Sequence, residues 1–137
     1  MKTSLRPGAA RVNRITIGRE RTIGFMGEEA RTYGTPSMIL DIEHTCRELI
    51  IEHADPDEDS VGMEVAVKHL APTLMGMTVE ITVRVVAVEG RKVMFETAVK
   101  DELDAVGAGT HTRFVIDKAK TLERLKAKAA RFAAQSG

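Results

Sequence analysis

A hydroxyl, a carboxylate and an imidazole occur at Thr35, Glu43 and His69, each in a setting that permits chemistry as well as packing. Glu43 lies within TPSMILDIEHTCRELI (35–50), where apolar residues recur at helical spacing and Ile39, Cys46 and Ile50 flank it in projection. It is either a helix-surface residue paired with Arg47 at i+4, worth about 0.3–0.5 kcal/mol, or a buried carboxylate. Burying an unpaired carboxylate costs several kcal/mol, so it needs a partner or a function. Thr35 precedes Pro36 at the helix start. It suits an N-cap whose Oγ satisfies a first-turn amide. The same position sets a hydroxyl beside free amides and the positive helix end, where a carbonyl oxygen can be polarised. His69 shares a strand face with Val61, Met63, Val65 and Val67. A histidine there is ordinarily a core residue with one nitrogen satisfied. LAPT (70–73) breaks the strand directly after it, however, and places it beside a loop.

The elements that must position these groups follow from periodicity. VNRITIG (12–18) alternates as a short strand, and RTIGFMGEEARTYG (21–34) reads as an irregular Gly-rich loop over the surface or over a site. A helix follows from about Pro36 to Ala54, stopped by DPDEDS (55–60). The period then changes to two. VGMEVAVKHLA (61–71) is a strand, and TVEITVRVVAV (78–88) sets Val79, Ile81, Val83 and Val85 against Glu80, Thr82 and Arg84. EGRK (89–92) is a hairpin turn, KVMFETAVK (92–100) the returning strand, and AVGAGTHTRFVI (105–116) a last long strand. The segment from 118 is a basic amphipathic helix or tail, and residues 1–10 read as a loose leader.

The order predicts an α+β domain spanning 1–137, with four antiparallel strands in a meander wrapped around one helix. At 100° per residue, Met38, Ile39, Ile42, Cys46, Leu49 and Ile50 span an arc of about 120°. Leu40 and Ile51 lie beyond it, and the polar face is narrow: Asp41, His44, Thr45, Glu48 and Glu52. That pattern fits a central helix with one flank against a partner subunit.

Bulk composition excludes several function classes. Lys plus Arg number 20, as do Asp plus Glu, so no net charge draws the chain to nucleic acid or membrane. Trp is absent and there is a single Tyr, which argues against a base-stacking surface. One cysteine, Cys46, forbids an internal disulfide and fits a reducing cytoplasm. No apolar run reaches the roughly 18 residues that span a bilayer. His44 and His53 read as solvent-side helix residues and His111 as structural or site-lining, and no Cys/His metal spacing occurs. The glycines of VGAG (106–109) let a backbone or ligand approach the sheet or mark a bulge.

This order of elements resembles the hotdog fold, and the local sequence is similar to the fluoroacetyl-CoA thioesterase family. That family carries a Thr at the helix start, a Glu eight residues on and a His on the next strand, matched by Thr35, Glu43 and His69. Gly62 in SVGMEVAVKH matches a glycine shortly before the His. Gly107, Gly109, Thr110, His111, Arg113 and Ile116 match its final strand. The likeness covers about 35–117, some 60% of the chain. It implies hydrolysis of a small acyl-CoA thioester in a cytoplasmic homodimer, with no metal or other cofactor. It implies a catalytic Thr35, Glu43 and His69, with Gly62, Tyr33 and Arg113 contacting substrate. Backbone amides near Gly62 or at the helix N-terminus would take the developing oxyanion. In the fluoroacetyl-specific enzyme, Phe side chains ahead of the Thr form a lid that favours the fluorinated acyl group. The matching GEEARTYG (27–34) has only Tyr33, so the resemblance carries thioester hydrolysis further than fluoroacetyl selectivity.

Three other readings compete. A hotdog hydratase or dehydratase acting on acyl-CoA wants an Asp–His pair that this chain lacks. A non-catalytic acyl-CoA-binding module would keep the site for sensing. A structural dimer would need none of the three residues.

Overall fold

A computed structural model describes residues 1–136; Gly137, part of the expected 118–137 tail, lies outside the described residues. Seven strands and two α-helices follow in chain order. Strand β1 is Ala10–Thr16, β2 Thr22–Ile23, β3 Thr32–Tyr33 and helix α1 Thr35–Glu52. Then come β4 Glu58–His69, β5 Thr78–Glu89, β6 Lys92–Lys100, β7 Ala105–Asp117 and helix α2 Lys118–Ser136. The Gly-rich stretch expected as an irregular loop holds the small β2–β3 hairpin, with Thr22 opposite Tyr33 and Ile23 opposite Thr32.

The main sheet is antiparallel, in the order β1-β5-β6-β7-β4. Only β5, β6 and β7 form a meander. β4 leaves the expected four-strand sequence and pairs with β7, from Glu58 opposite Asp117 to His69 opposite Gly107. The reason is non-local: the alternation of β4 marks it as a strand but carries no information about its neighbour. The sheet's inner face meets α1. Val79, Ile81, Val83 and Val85 of β5 are buried there with Phe95, Val106 and Val115, as their alternation requires. From α1 the core takes Met38, Ile42, Cys46, Leu49 and Ile50.

Two expectations about α1 and β4 are corrected. Asp41 and Thr45, placed on the polar face, are 4% and 0% exposed. Each has its polar group satisfied. Arg21 Nε and Tyr33 Oη donate to the Asp41 carboxylate at 3.0 and 2.6 Å, and Thr45 Oγ1 donates to the Asp41 carbonyl and accepts from Asn13 Nδ2. Arg11 adds ion pairs to Glu48 and Glu52, so this flank of α1 packs on β1 through polar contacts. On β4, the register shifts between Gly62 and Glu64. The extra residue of this bulge turns the pleat over. Gly62, opposite Arg113, faces α1, and so does Val65, opposite His111; Val61, opposite the exposed Phe114, faces away. The single face expected for Val61, Met63, Val65, Val67 and His69 is therefore split.

The leader is also tied down. Leu5 is buried, Lys2 N–H donates to the His53 carbonyl, and the Met1 ammonium bonds Asp55 and Glu58. No helix among the described residues is long and apolar enough to cross a membrane.

Candidate active site

The three candidate side chains form two separate half-sites within one chain. The first joins the start of α1 to the end of β4. Thr35 Oγ1 and His69 Nδ1 are 2.7 Å apart at the mouth of a cleft of about 310 Å3 lined by Ile23, Thr32, Tyr33, Leu70, Ala71 and Pro72. Thr35 does not cap the helix. Gly34 is the N-cap and, having no side chain, makes no side-chain capping bond, while the Thr35 hydroxyl is turned to the imidazole. First-turn amides of α1 thus remain without a side-chain cap beside the cleft. Pro36 follows directly, where its missing N–H costs nothing.

His69 is held from two sides. Its Nδ1 takes Thr35, and the Tyr33 ring meets it edge-on, with centroids 6.3 Å apart and planes at 78°. Its Nε2 is buried with no hydrogen-bond partner among the described residues. Burial pushes its pKa below the ordinary imidazole value, so the ring is neutral at neutral pH and free to accept a proton. Tyr33, expected to touch substrate, is 1% exposed, and its hydroxyl is committed to Asp41. It serves as a wall behind His69. Burial, with the Asp41 hydrogen bond added, raises its phenol pKa. Sequence reasoning missed Asp41 and Arg21. The signal was present as an Asp eight residues after a Tyr on a helix otherwise apolar, but helical projection assigned Asp41 to solvent.

The second half-site lies about 12 Å further along α1, eight residues at 1.5 Å each. Glu43 is half-buried, and its carboxylate makes no hydrogen bond or ion pair among the described residues. Arg47, its candidate i+4 partner, instead binds Asp59 through Nε and Nη2 at 2.9 and 2.7 Å. Glu43 faces β4 at the one position without a side chain: a Cβ on residue 62 would stand 3.2 Å from Glu43 Oε1 and 3.4 Å from His111 Cε1. Gly62 is thus the gap that admits the carboxylate to the sheet.

Behind this gap stands a buried basic pair. Arg113 is 6% exposed and donates to Ser60 Oγ, the Ser60 carbonyl and His111 Nε2 at 2.8, 2.9 and 3.2 Å. The Glu64 carbonyl can only accept, so His111 Nδ1 carries the proton and Nε2 is the acceptor for Arg113. Burial lowers the pKa of both groups. His111, read as structural or site-lining, thus orients Arg113. Gly109 accounts for the expected close approach at VGAG: a Cβ there would stand 2.1 Å from the Ala66 carbonyl oxygen. Cys46 is wholly buried, and burial raises its thiol pKa to about 12, which makes it inert.

The chain therefore brings Thr35 to His69 and Glu43 to Gly62, His111 and Arg113. It does not bring the two groups together. Gly62 and His69 are seven residues apart on β4, about 20 Å at strand rise.

A five-stranded antiparallel sheet curled over one long helix is the hotdog fold, here with an added C-terminal helix, and the solved structures it matches include thioesterases. One is a thioesterase superfamily member from Thermus thermophilus, 27% identical, with a TM-score of 0.87, covering 95% of this chain and 97% of that one. Another is a fluoroacetyl-CoA-specific thioesterase variant in complex with fluoroacetate and CoA, 28% identical, TM-score 0.76, covering 85% and 98%. The fluoroacetyl-CoA thioesterase of Streptantibioticus cattleyicolor is 29% identical over 135 residues, 93% of this chain and 94% of that protein. Residues 17–119 match the model of the fluoroacetyl-CoA-specific thioesterase (FlK) family. The chain belongs to that family and is an acyl-CoA thioesterase.

Proposed function

We propose that the protein hydrolyses small acyl-CoA thioesters at a site assembled by two copies, in which Thr35 and His69 of one face Glu43 of the other. The observation that carries this reading is the division of the groups: a Thr35–His69 couple lacking a carboxylate, and a Glu43 that makes no hydrogen bond or ion pair among the described residues, its neighbours His111 and Arg113 being bonded to each other. The edge of the sheet supports it. β4 is a border strand whose residues 61–66 are all exposed, with Val61, Met63 and Val65 at 43%, 57% and 37%. A long apolar edge of unpaired backbone groups invites another strand. Antiparallel pairing of β4 with β4 of a second copy sets residue i opposite a residue fixed by the centre of symmetry. With Met63 counted as the extra residue of the bulge, Gly62 meets His69 when Ala66 lies opposite its own copy, at a centre within the exposed stretch.

In that arrangement a thioester carbonyl in the cleft would lie between the α1 N-terminus and Gly62. The uncapped first-turn amides and the Thr35 hydroxyl stabilise its developing charge. Glu43 supplies the negative group that attacks the carbonyl carbon or deprotonates the attacking water. The C–S bond breaks, and neutral His69 relays the proton, through Thr35 or directly, toward the departing thiolate. The net change is thioester plus water to carboxylic acid plus thiol. The single, buried Cys46 suits work in a reducing cytoplasm.

Thiol release measured over a panel of acyl-CoAs tests the reading. Acetyl-CoA and fluoroacetyl-CoA are expected to be hydrolysed with kcat/KM within about two orders of magnitude of each other. The stretch that matches the family's Phe lid, 27–34, holds no Phe, its one aromatic Tyr33 is buried, and one small substituent is worth about 1–3 kcal/mol. Absence of thiol release from every member refutes hydrolysis. A preference of several orders of magnitude for the fluorinated substrate would assign the lid's role to another residue, such as the exposed Phe25.

A further inference from the structure

Helix α2 stands clear of the body of the protein. Its Lys120, Thr121 and Arg124 border a cleft beside Phe114, and every residue from Leu122 to Gln135 is exposed. Six alanines among lysines, arginines and leucines account for a helix here without tertiary packing. They do not account for Leu122, Leu125 and Phe132, each more than half exposed. At about 100° per residue these three and Ala129 fall within an arc of about 80°, and Lys120, Arg124, Lys128 and Arg131 fall within a separate arc of about 80°. Lys126 and Lys128 stand about 40° outside the two edges of the apolar stripe. The helix holds six of the chain's 20 basic residues and one of its 20 acidic ones, so the zero net charge is +5 on α2 against −5 on the rest. None of Lys120, Arg124, Lys126, Lys128 and Arg131 forms an ion pair among the described residues.

What can cover such a stripe is limited by its edges. Leu122, Leu125, Ala129 and Phe132 follow the a, d, a, d spacing of a coiled coil, which puts Lys126 and Lys128 at e and g. Two α2 helices packed along this seam would set those lysines against each other, over only about two heptads. A lipid surface meets both halves of the pattern. Apolar side chains enter below the headgroups, and lysines at the borders lay their apolar stems beside them and reach the phosphates. The helix is too polar to cross a membrane and has the makeup of one that lies along it. We propose that α2 docks the protein on an anionic lipid surface, with Leu122, Leu125 and Phe132 inserted and Lys126 and Lys128 against the phosphates. The acidic remainder of the chain is repelled by the same surface, which confines the contact to α2. The docking is independent of the hydrolysis proposed above.

The test is flotation of the full chain with vesicles of phosphatidylcholine, alone or with about a third phosphatidylglycerol. Wild type is expected to float with the anionic vesicles, to bind the neutral ones at least tenfold less, and to be released as salt shortens the Debye length. Leu122→Gln with Leu125→Gln keeps the charge and the helix propensity, and is expected to lower the partition coefficient at least tenfold. Lys126→Gln with Lys128→Gln keeps the stripe and is expected to lower it by a similar factor. All four side chains are exposed, so folding is retained, and circular dichroism should show the helix content of wild type in both variants. Wild type that does not float with anionic vesicles overturns the proposal. Equal binding by the leucine variant also overturns it, since only adsorption of charge would remain. Equal binding by the lysine variant, or equal binding of wild type to neutral vesicles, removes the anionic lipid from the assignment and overturns it as well. Failure to float, combined with a wild-type assembly larger in light scattering than that of the leucine variant, would give the stripe to another copy of the chain.

Discussion

Mixing two inactive variants decides whether the site is shared. Glu43→Gln keeps the shape of the side chain and removes its charge, and His69→Ala removes the imidazole. Each is expected to lower turnover by two orders of magnitude or more, the scale of a lost acid–base group or nucleophile. In one chain Glu43 stands about 12 Å along α1 from Thr35, the partner of His69, and the Gly62 gap it faces lies about 20 Å along β4 from His69. Each composite site would therefore draw Glu43 from one copy and Thr35 with His69 from the other. In a dimer of one variant chain with the other, one site holds both mutations and the second holds neither. If a fraction x of chains carries Glu43→Gln, mixed dimers form with frequency 2x(1 − x), and half of their sites are intact. Activity should follow x(1 − x), with a maximum of about a quarter of wild type at equal amounts. The two variants would be refolded together over a range of ratios, and thiol release from acetyl-CoA measured at constant total protein. A parabola peaking at the equimolar point is the expected result. A flat line at the level of the separate variants would place all three groups in one chain's site. A 15 kDa species in light scattering at micromolar concentration would remove the second copy altogether.

Three further outcomes follow from the same geometry. Burial sets the His69 pKa below 6.5, so kcat/KM should be level through neutrality and fall only on the acid side as the imidazole takes a proton; a His69→Ala protein with the same acid limb would assign that limb elsewhere. Tyr33→Phe removes a 2.6 Å bond from a buried carboxylate and should lower unfolding free energy by about 1–3 kcal/mol, with kcat little changed because the ring beside His69 remains. A large kcat loss at unchanged stability would restore the hydroxyl as a substrate contact. Glu58, 4% exposed, is held at about 2 by the Met1 ammonium, then the Asp55 amide and Arg91. Its folded pKa is below its unfolded one, so its contribution is present above about 4.5 and is lost as pH falls toward 2. Denaturant titrations should show up to about 3 kcal/mol lost over that window in wild type, and a smaller loss in Glu58→Gln.

Local order was legible in the chain because it depends on near neighbours. The period of 3.6 marked α1 to within two residues of its end, and the period of two marked β5, β6 and β7, with the correct inward residues of β5. The oddity of Glu43 within an apolar helix was likewise visible, since projection uses only positions 36–54. Tertiary structure decided what depends on distant pairing. β4 could have joined β5, its successor, but pairs with β7, more than 40 residues away, and this leaves its other edge open. The bulge after Gly62 turned Val61 and Val65 to opposite faces, which alternation alone cannot signal. Asp41 and Thr45 are polar by type and buried by contact, because Arg21, Tyr33 and Asn13 converge on them from other elements. Thr35 is a cap by its sequence neighbours and a partner of His69 by the fold, since only tertiary packing brings the end of β4 to the start of α1. The separation of Glu43 from that pair arises in the same way: rise per residue fixes distance along one element, while the meeting of two elements, or of two chains, depends on contacts that periodicity does not encode.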